Sequence, residues 1–115
     1  MKIDRTAILS KTNNRCAYCG CNLLDKKWHI DHMIPVTRNP YTKIMLHKEN
    51  HNIGNLYASC ISCNMNKGGL DVDYYRDVLG RYMDRSEVKT LLRLGIFKLD
   101  NWPVKFYYET LEGTE

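Results

Sequence analysis

Two Cys-x-x-Cys pairs, Cys16-Ala-Tyr-Cys19 and Cys60-Ile-Ser-Cys63, constrain this chain more than any other feature. Four thiolates brought together suit a tetrahedral zinc ion better than any hard cation, so the pairs read as the two halves of a structural Zn²⁺ site. Four unrelated free thiols are the alternative. The sequence has no N-terminal apolar segment that would direct it to an oxidising compartment, and clustered thiols in a reducing one are zinc ligands rather than disulfides. That reading expects a cytoplasmic protein. Gly20 suits the tight turn by which a zinc knuckle points both sulfurs inward. Cys21 is left over, as a small buried hydrophobe or a competitor with Cys19. At 115 residues, 1–115 reads as a single domain small enough to gain from such a staple.

Between the pairs, residues 28–34 form an apolar, β-permissive run closed by Pro35, and inside it Asp31 and His32 stand side by side. A carboxylate is a natural ligand for a hard divalent cation, and a neutral imidazole can take a proton from water near pH 7. Adjacent strand residues point to opposite faces, so the two serve one site only where the strand ends or bulges. A second short strand, 55–60, leads into Cys60 and a helical turn that Gly68-Gly69 ends. On that turn Asn64 and Lys67 share a face, so a zinc ion could hold the helix while Asn64 looks toward Asp31. Residues 36–52 read as a long exposed connection, with Ile44-Met45-Leu46 as a short apolar anchor. Arg38, Lys43 and Lys48 in it could suit a nucleic acid, with a solvated loop the plainer reading. His47 and His51 are four apart and could ligate a metal if helical, but nothing else converges on them and exposed loop histidines are the plainer reading. His29 could contact phosphate or lie near a metal, with strand-surface packing the plainer reading.

Asp4 caps a helix reaching Lys11, and Asn13-Asn14 form its exit. In the last third, Asp73 caps a helix through Asp84 carrying Tyr75, Val78, Leu79 and Tyr82, and Ser86 caps another with Val88, Leu91 and Leu92 up to Gly95. Asn101-Trp102-Pro103 is a turn, and Val104, Phe106 and Tyr108 alternate with polar neighbours as in a half-buried strand. The class is α+β. No apolar run spans a membrane. The excess of 17 Lys and Arg over 13 Asp and Glu permits a polyanionic partner without demanding one. In the tail, Arg76, Arg81, Arg85, Lys89, Arg93 and Lys98 include positions that could track a DNA backbone, diluted by interleaved acids.

The order Cys-x-x-Cys, Asp31-His32-x-x-Pro35, Asn55-Leu56, then Cys60-x-x-Cys63-Asn64-x-x-Lys67 resembles the HNH endonuclease family over residues 16–68. The resemblance implies a ββα-metal core of treble-clef-like form, stapled by zinc on Cys16, Cys19, Cys60 and Cys63, with 70–115 as a C-terminal extension. It implies His32 as the general base, and Asp31 and Asn64 as ligands of one catalytic Mg²⁺ or Mn²⁺. Asn55 would brace the loop between the strands and help orient the base, and Lys67 is a phosphate-binding candidate or, equally, a solvated helix end. The reaction implied is hydrolysis of DNA phosphodiester bonds, leaving 5′-phosphate and 3′-hydroxyl ends. The tail resembles that of small members found in phages and prophages, which points to a bacterial host and to a possible packaging or recombination partner. The family's Gly-rich turn and acidic residue before Asn-Leu are missing. The competing reading is a non-catalytic zinc module that binds DNA or protein, which would need none of Asp31, His32, Asn55 and Asn64.

Overall fold

The computed structural model describes residues 2–112; Met1 and the last three residues of the expected extension lie outside it. Helix α1 (Arg5–Ser10) starts where the Asp4 carboxylate accepts from the Thr6 and Ala7 amides, at 3.0 and 3.3 Å. It buries Ile8 completely. Asn13 and Asn14 both take left-handed backbone, with φ of 54° and 63°. This is the expected exit turn, and Asn tolerates the conformation better than most residues.

The knuckle follows at once. Gly20 has φ of +78°, and its amide donates to the Cys16 carbonyl at 3.0 Å. A Cβ on Gly20 would also come within 3.2 Å of the Tyr107 ring, so glycine is required both by the turn and by what packs on it.

Strands β1 (Trp28–His32) and β2 (Leu56–Cys60) form the two-stranded antiparallel sheet, with Ile30 opposite Ala58 and His32 opposite Leu56. A two-stranded ribbon is marginal in water, and this one is covered. Ile8, Cys16, Ala17, Leu23, Leu56 and Ala58 are all at most 1% exposed and belong to one core. Helix α2 (Ile61–Lys67) springs directly from β2 and ends at Gly68, whose φ of +60° stops it. Strand, strand and helix give the ββα core that the motif order implied.

The connection from 36 to 55 is more ordered than a solvated loop. Arg38 bridges to Met45, the Leu46 amide donates to the Thr37 carbonyl, and that of His47 donates to the Val36 carbonyl, making a hairpin. Ile44 and Leu46 are more than half exposed, so of the expected apolar anchor only Met45 is partly buried. Two 3₁₀ turns, Lys48–Asn50 and Ile53–Asn55, lead back to β2.

Helices α3 (Val72–Met83) and α4 (Ser86–Arg93) lie near their expected places. The cap of α3 is Asp71, whose side chain accepts from the Asp73 amide at 2.8 Å, rather than Asp73 itself. Ser86 is the first residue of α4 and not its cap, because its hydroxyl turns to Glu87.

The strand expected at 104–108 is a helix start: α5 covers Tyr107–Glu112. The alternating pattern misleads here because the backbone donors of this segment are used elsewhere. Tyr107 and Tyr108 donate to the carbonyls of Tyr18 and Ala17 at 3.1 and 2.8 Å, and the Phe106 amide donates to the Glu109 carboxylate at 2.9 Å. Phe106, 3% exposed, stacks on Tyr75 and meets the edge of Tyr18. Arg76 reaches back from α3 to the Val104 carbonyl and the Glu109 carboxylate, so it holds the tail and does not track DNA. Among the described residues no helix is long and apolar enough to cross a membrane.

Candidate metal centre and nuclease site

The sulfurs of Cys16, Cys19, Cys60 and Cys63 all lie within 4.8 Å of one another, drawn together by the knuckle and by the β2–α2 junction. The Cys19 and Cys60 sulfurs are 3.9 Å apart. Tetrahedral zinc with bonds of about 2.3 Å to sulfur needs edges of about 3.8 Å. The donors therefore fit zinc in number, type and spacing. Amides of Tyr18 and Cys63 donate to the sulfurs of Cys16 and Cys60, both at 3.4 Å, and such donors stabilise thiolates. The hydrogen bond from Cys63 draws the Cys16 thiol down to about 4, while the same bond pushes Cys63 up. Cys21 stands outside the cluster, half-buried.

Beside this staple, β1 presents Asp31 and His32 to different partners, as strand alternation requires. Asp31 is 6% exposed and Lys67 only 1%. The Lys67 ammonium lies 3.1 Å from the Asp31 carboxylate and also donates to the His32 carbonyl at 3.2 Å. The Tyr18 hydroxyl donates to the same carboxylate. Burial and the neighbouring Asp31 charge push the Tyr18 phenol far up, so it stays protonated as the donor. Lys67 accordingly lies beneath the strand, enclosed, and not on the surface. Asn64, one turn earlier on α2, meets His29: their side-chain nitrogens are 2.9 Å apart.

His32 takes a partner that sequence reasoning missed. Its Nε2 lies 2.9 Å from Nδ1 of His51. The two 3₁₀ turns break the helical i, i+4 relation between His47 and His51, leaving His47 exposed near Glu49 while His51 folds inward. What folds it inward is a clasp of asparagines. Asn50 donates to the Pro35 carbonyl at 3.0 Å, and the Asn55 amide group donates to the carbonyls of Asn50 and Ile34, both at 2.7 Å. Asn55 also accepts from the Ile34 amide at 2.9 Å. The only sequence signal for His51 was its place between these two asparagines.

Asp31, His32, Pro35, Arg38 and Gly68 line an open cleft of about 360 Å³. Desolvation, the His51 ring, and the charges of Arg38 and Lys67 lower the His32 pKa, against the opposing pull of Asp31. The neutral, proton-accepting form of His32 is thereby favoured, at the wall of a cleft with cationic neighbours. That combination suits proton abstraction next to an anionic substrate.

A carboxylate and an amide oxygen are the right atom types for Mg²⁺ or Mn²⁺. In this arrangement, however, the Asp31 carboxylate is engaged by an ammonium and a phenol, and Asn64 is engaged by His29. A hard cation and the Lys67 ammonium would compete for one carboxylate, so the arrangement does not fit a catalytic divalent ion on Asp31 and Asn64.

Residues 16–69 match the family model described as HNH endonuclease. With the four-cysteine cluster and the ββα core, the match marks residues 16–69 as similar to an HNH domain of the four-cysteine type. A curated relative, Septu protein PtuB of Bacillus thuringiensis, is 33% identical over 69 residues, which cover 58% of this chain and 24% of the relative. The chain thus spans about a quarter of that protein's length. No solved structure matches the chain.

Proposed function

We propose that this protein is an endonuclease that hydrolyses DNA phosphodiester bonds, with His32 as the general base. The observation that carries the proposal is His32 itself: a half-buried imidazole with a lowered pKa, fixed at the rim of a cleft that Arg38 also lines. His32 would take a proton from the water that attacks phosphorus, and the P–O3′ bond would break with the 3′ oxygen taking a proton from solvent, giving 5′-phosphate and 3′-hydroxyl ends. Arg38 would neutralise a non-bridging phosphate oxygen. Asn55 would act as a positioning residue, since its side chain holds both the amide and the carbonyl of Ile34, two residues beyond the base. Lys67 would do the same from below through the His32 carbonyl, a different task from binding phosphate.

Zinc on the four cysteines would hold the knuckle against β2 and α2, and so keep β1 in place. The family resemblance also implies a divalent-cation requirement, with Asp31 and Asn64 as ligands. For them to serve, Lys67 would have to release Asp31. The locked Asp31–Lys67 pair favours a second reading, a non-catalytic zinc module that binds DNA.

Incubating end-labelled duplex DNA with wild type and with His32→Ala, each zinc-loaded and supplied with Mg²⁺ or Mn²⁺, separates the readings. The proposal expects cleavage to 5′-phosphate ends by wild type and at least a 100-fold loss in the variant, the lower scale of general base catalysis. Binding without cleavage would establish the second reading, and equal cleavage by the variant would remove His32 as the base.

A further inference from the structure

The hairpin that rises from the cleft wall is built to touch something. Its backbone is braced across both arms: Asn39 and Ile44 are joined at 2.9 Å, and Arg38 bridges to Met45. Arg38 also donates from its guanidinium to the Lys43 carbonyl at 3.2 Å. The tip is locked too. The Asn39 side chain accepts from the amides of Tyr41 and Thr42, and Lys43 sits in left-handed backbone with φ of 63°. On this braced tip stands Tyr41, 91% exposed, with Ile44 and Leu46 at 56% and 57% on the returning arm. One exposed apolar side chain needs no explanation, but three on one braced hairpin beside the cleft make it a candidate contact surface.

The charge of the segment says what kind of partner fits. Between Asp31 and Glu49 the sequence contains Arg38, Lys43 and Lys48 and no acidic residue. The foot of the hairpin, Pro35 to Arg38, forms one wall of the cleft that holds Asp31 and His32. The Lys43 ammonium also donates to the Pro40 carbonyl at 3.0 Å, so Arg38 and Lys43 are both held by the hairpin while staying exposed on it. Exposed aromatic and aliphatic side chains beside such cations match a nucleic acid, which offers base faces for stacking and phosphates for the charges.

We propose that the hairpin 36–47 is a DNA-contacting finger, in which Tyr41 stacks on a base next to the scissile phosphate while Arg38 and Lys43, with Lys48 just beyond, hold the flanking backbone. The proposal rests on the nuclease reading, and it adds the element that would position duplex DNA over His32. The finger grips through stacking and charge. It therefore supplies affinity and registration without reading a defined base sequence.

The test uses the full zinc-loaded chain in the His32→Ala background, so that DNA stays intact, and a short fluorescein-labelled duplex followed by anisotropy. Tyr41→Ala is expected to weaken binding about tenfold, the scale of one lost base stack, and Tyr41→Phe to stay within about twofold of its parent. Replacing Lys43 and Lys48 by Ala is expected to flatten the dependence of log affinity on log salt by about 0.9 for each phosphate no longer neutralised. Tyr41 is exposed, so the melting curve should not move, and an unchanged melt confirms that a loss of affinity is local. The finger is overturned if Tyr41→Ala binds as tightly as its parent, or if Phe is as damaging as Ala. Tighter binding of an RNA duplex than of the DNA duplex would overturn the DNA assignment. In the catalytically intact chain, DNA cleavage by both wild type and Tyr41→Ala at one rate would remove the finger and leave the nuclease standing. If neither cuts nor binds DNA, both proposals fall.

Discussion

Replacing Lys67 by Met should destabilise the protein more than almost any other single change to a charged residue. The side chains of Lys67 and Asp31 are 1% and 7% exposed, with 3.1 Å between charges. Met matches the length and volume of the lysine stem but leaves Asp31 buried with only the Tyr18 hydroxyl for a partner. Stranding one member of a buried pair costs about 3–5 kcal/mol. That is a large fraction of the roughly 5–15 kcal/mol that holds a typical domain folded. With an unfolding entropy of about 2.1 cal/mol/K per residue, a chain of 115 residues should melt about 12–20 °C lower. The assay is urea and thermal unfolding of zinc-loaded protein, followed by circular dichroism. The double variant Lys67→Met with Asp31→Asn provides the control: the neutral amide still accepts from Tyr18, so at least half of the lost stability should return. If Lys67→Met alone lay within about 1 kcal/mol of wild type, the pair would not be an enclosed lock.

Replacing Cys60 by Ser should unfold the core rather than slow a reaction, because zinc-binding free energy is folding free energy in small domains; a melting curve like that of wild type would contradict the four-thiolate site. His51→Phe removes a ring whose charge helps keep His32 neutral, so the acid limb of the cleavage rate against pH should move upward, toward the ordinary histidine value; an unmoved limb would separate His51 from the base. Folded His32 binds its proton less tightly than it does in the unfolded chain, so its contribution to stability is present above about pH 6.5 and is lost as pH falls through the depressed folded value, which urea titrations of wild type and His32→Gln would compare. Phe106→Ala should cost about 3–5 kcal/mol, measured by the same unfolding, since the ring is enclosed by Tyr18, Tyr75 and Arg76.

The parts of the fold legible in the sequence were those with local chemistry. Asp4 as a cap, Gly20 and Gly68 as turn residues, and the two cysteine pairs each carry their own physical reason within a few residues. The strands could be read because apolar runs led into Pro35 and Cys60. The misreadings came where distant groups decided. Residues 104–108 alternate like a strand, yet the carbonyls of Ala17 and Tyr18 claim their amides, and no local pattern announces that. Lys67 looked like a surface cation at a helix end because nothing nearby in sequence says that Tyr18 and Asp31 close over it. His51 was dismissed for lack of converging neighbours, although Asn50 and Asn55 fold it onto His32 from 19 positions away. The hairpin read as a loop because its order comes from Asn39 and cross-arm bonds rather than from an apolar alternation.

The most direct test of the central claim, that His32 in this cleft cuts DNA, is a supercoiled-plasmid assay. Zinc-loaded wild type would be compared with His32→Ala purified identically, each with Mg²⁺, with Mn²⁺ or with a chelator too weak to strip the four-cysteine site. The expected result is relaxed or linear plasmid from wild type and none from the variant. Cleavage that needs the added cation would further show a divalent-cation requirement. Intact plasmid under every condition, with zinc bound and the fold in place, would contradict the claim and leave a DNA-binding zinc module.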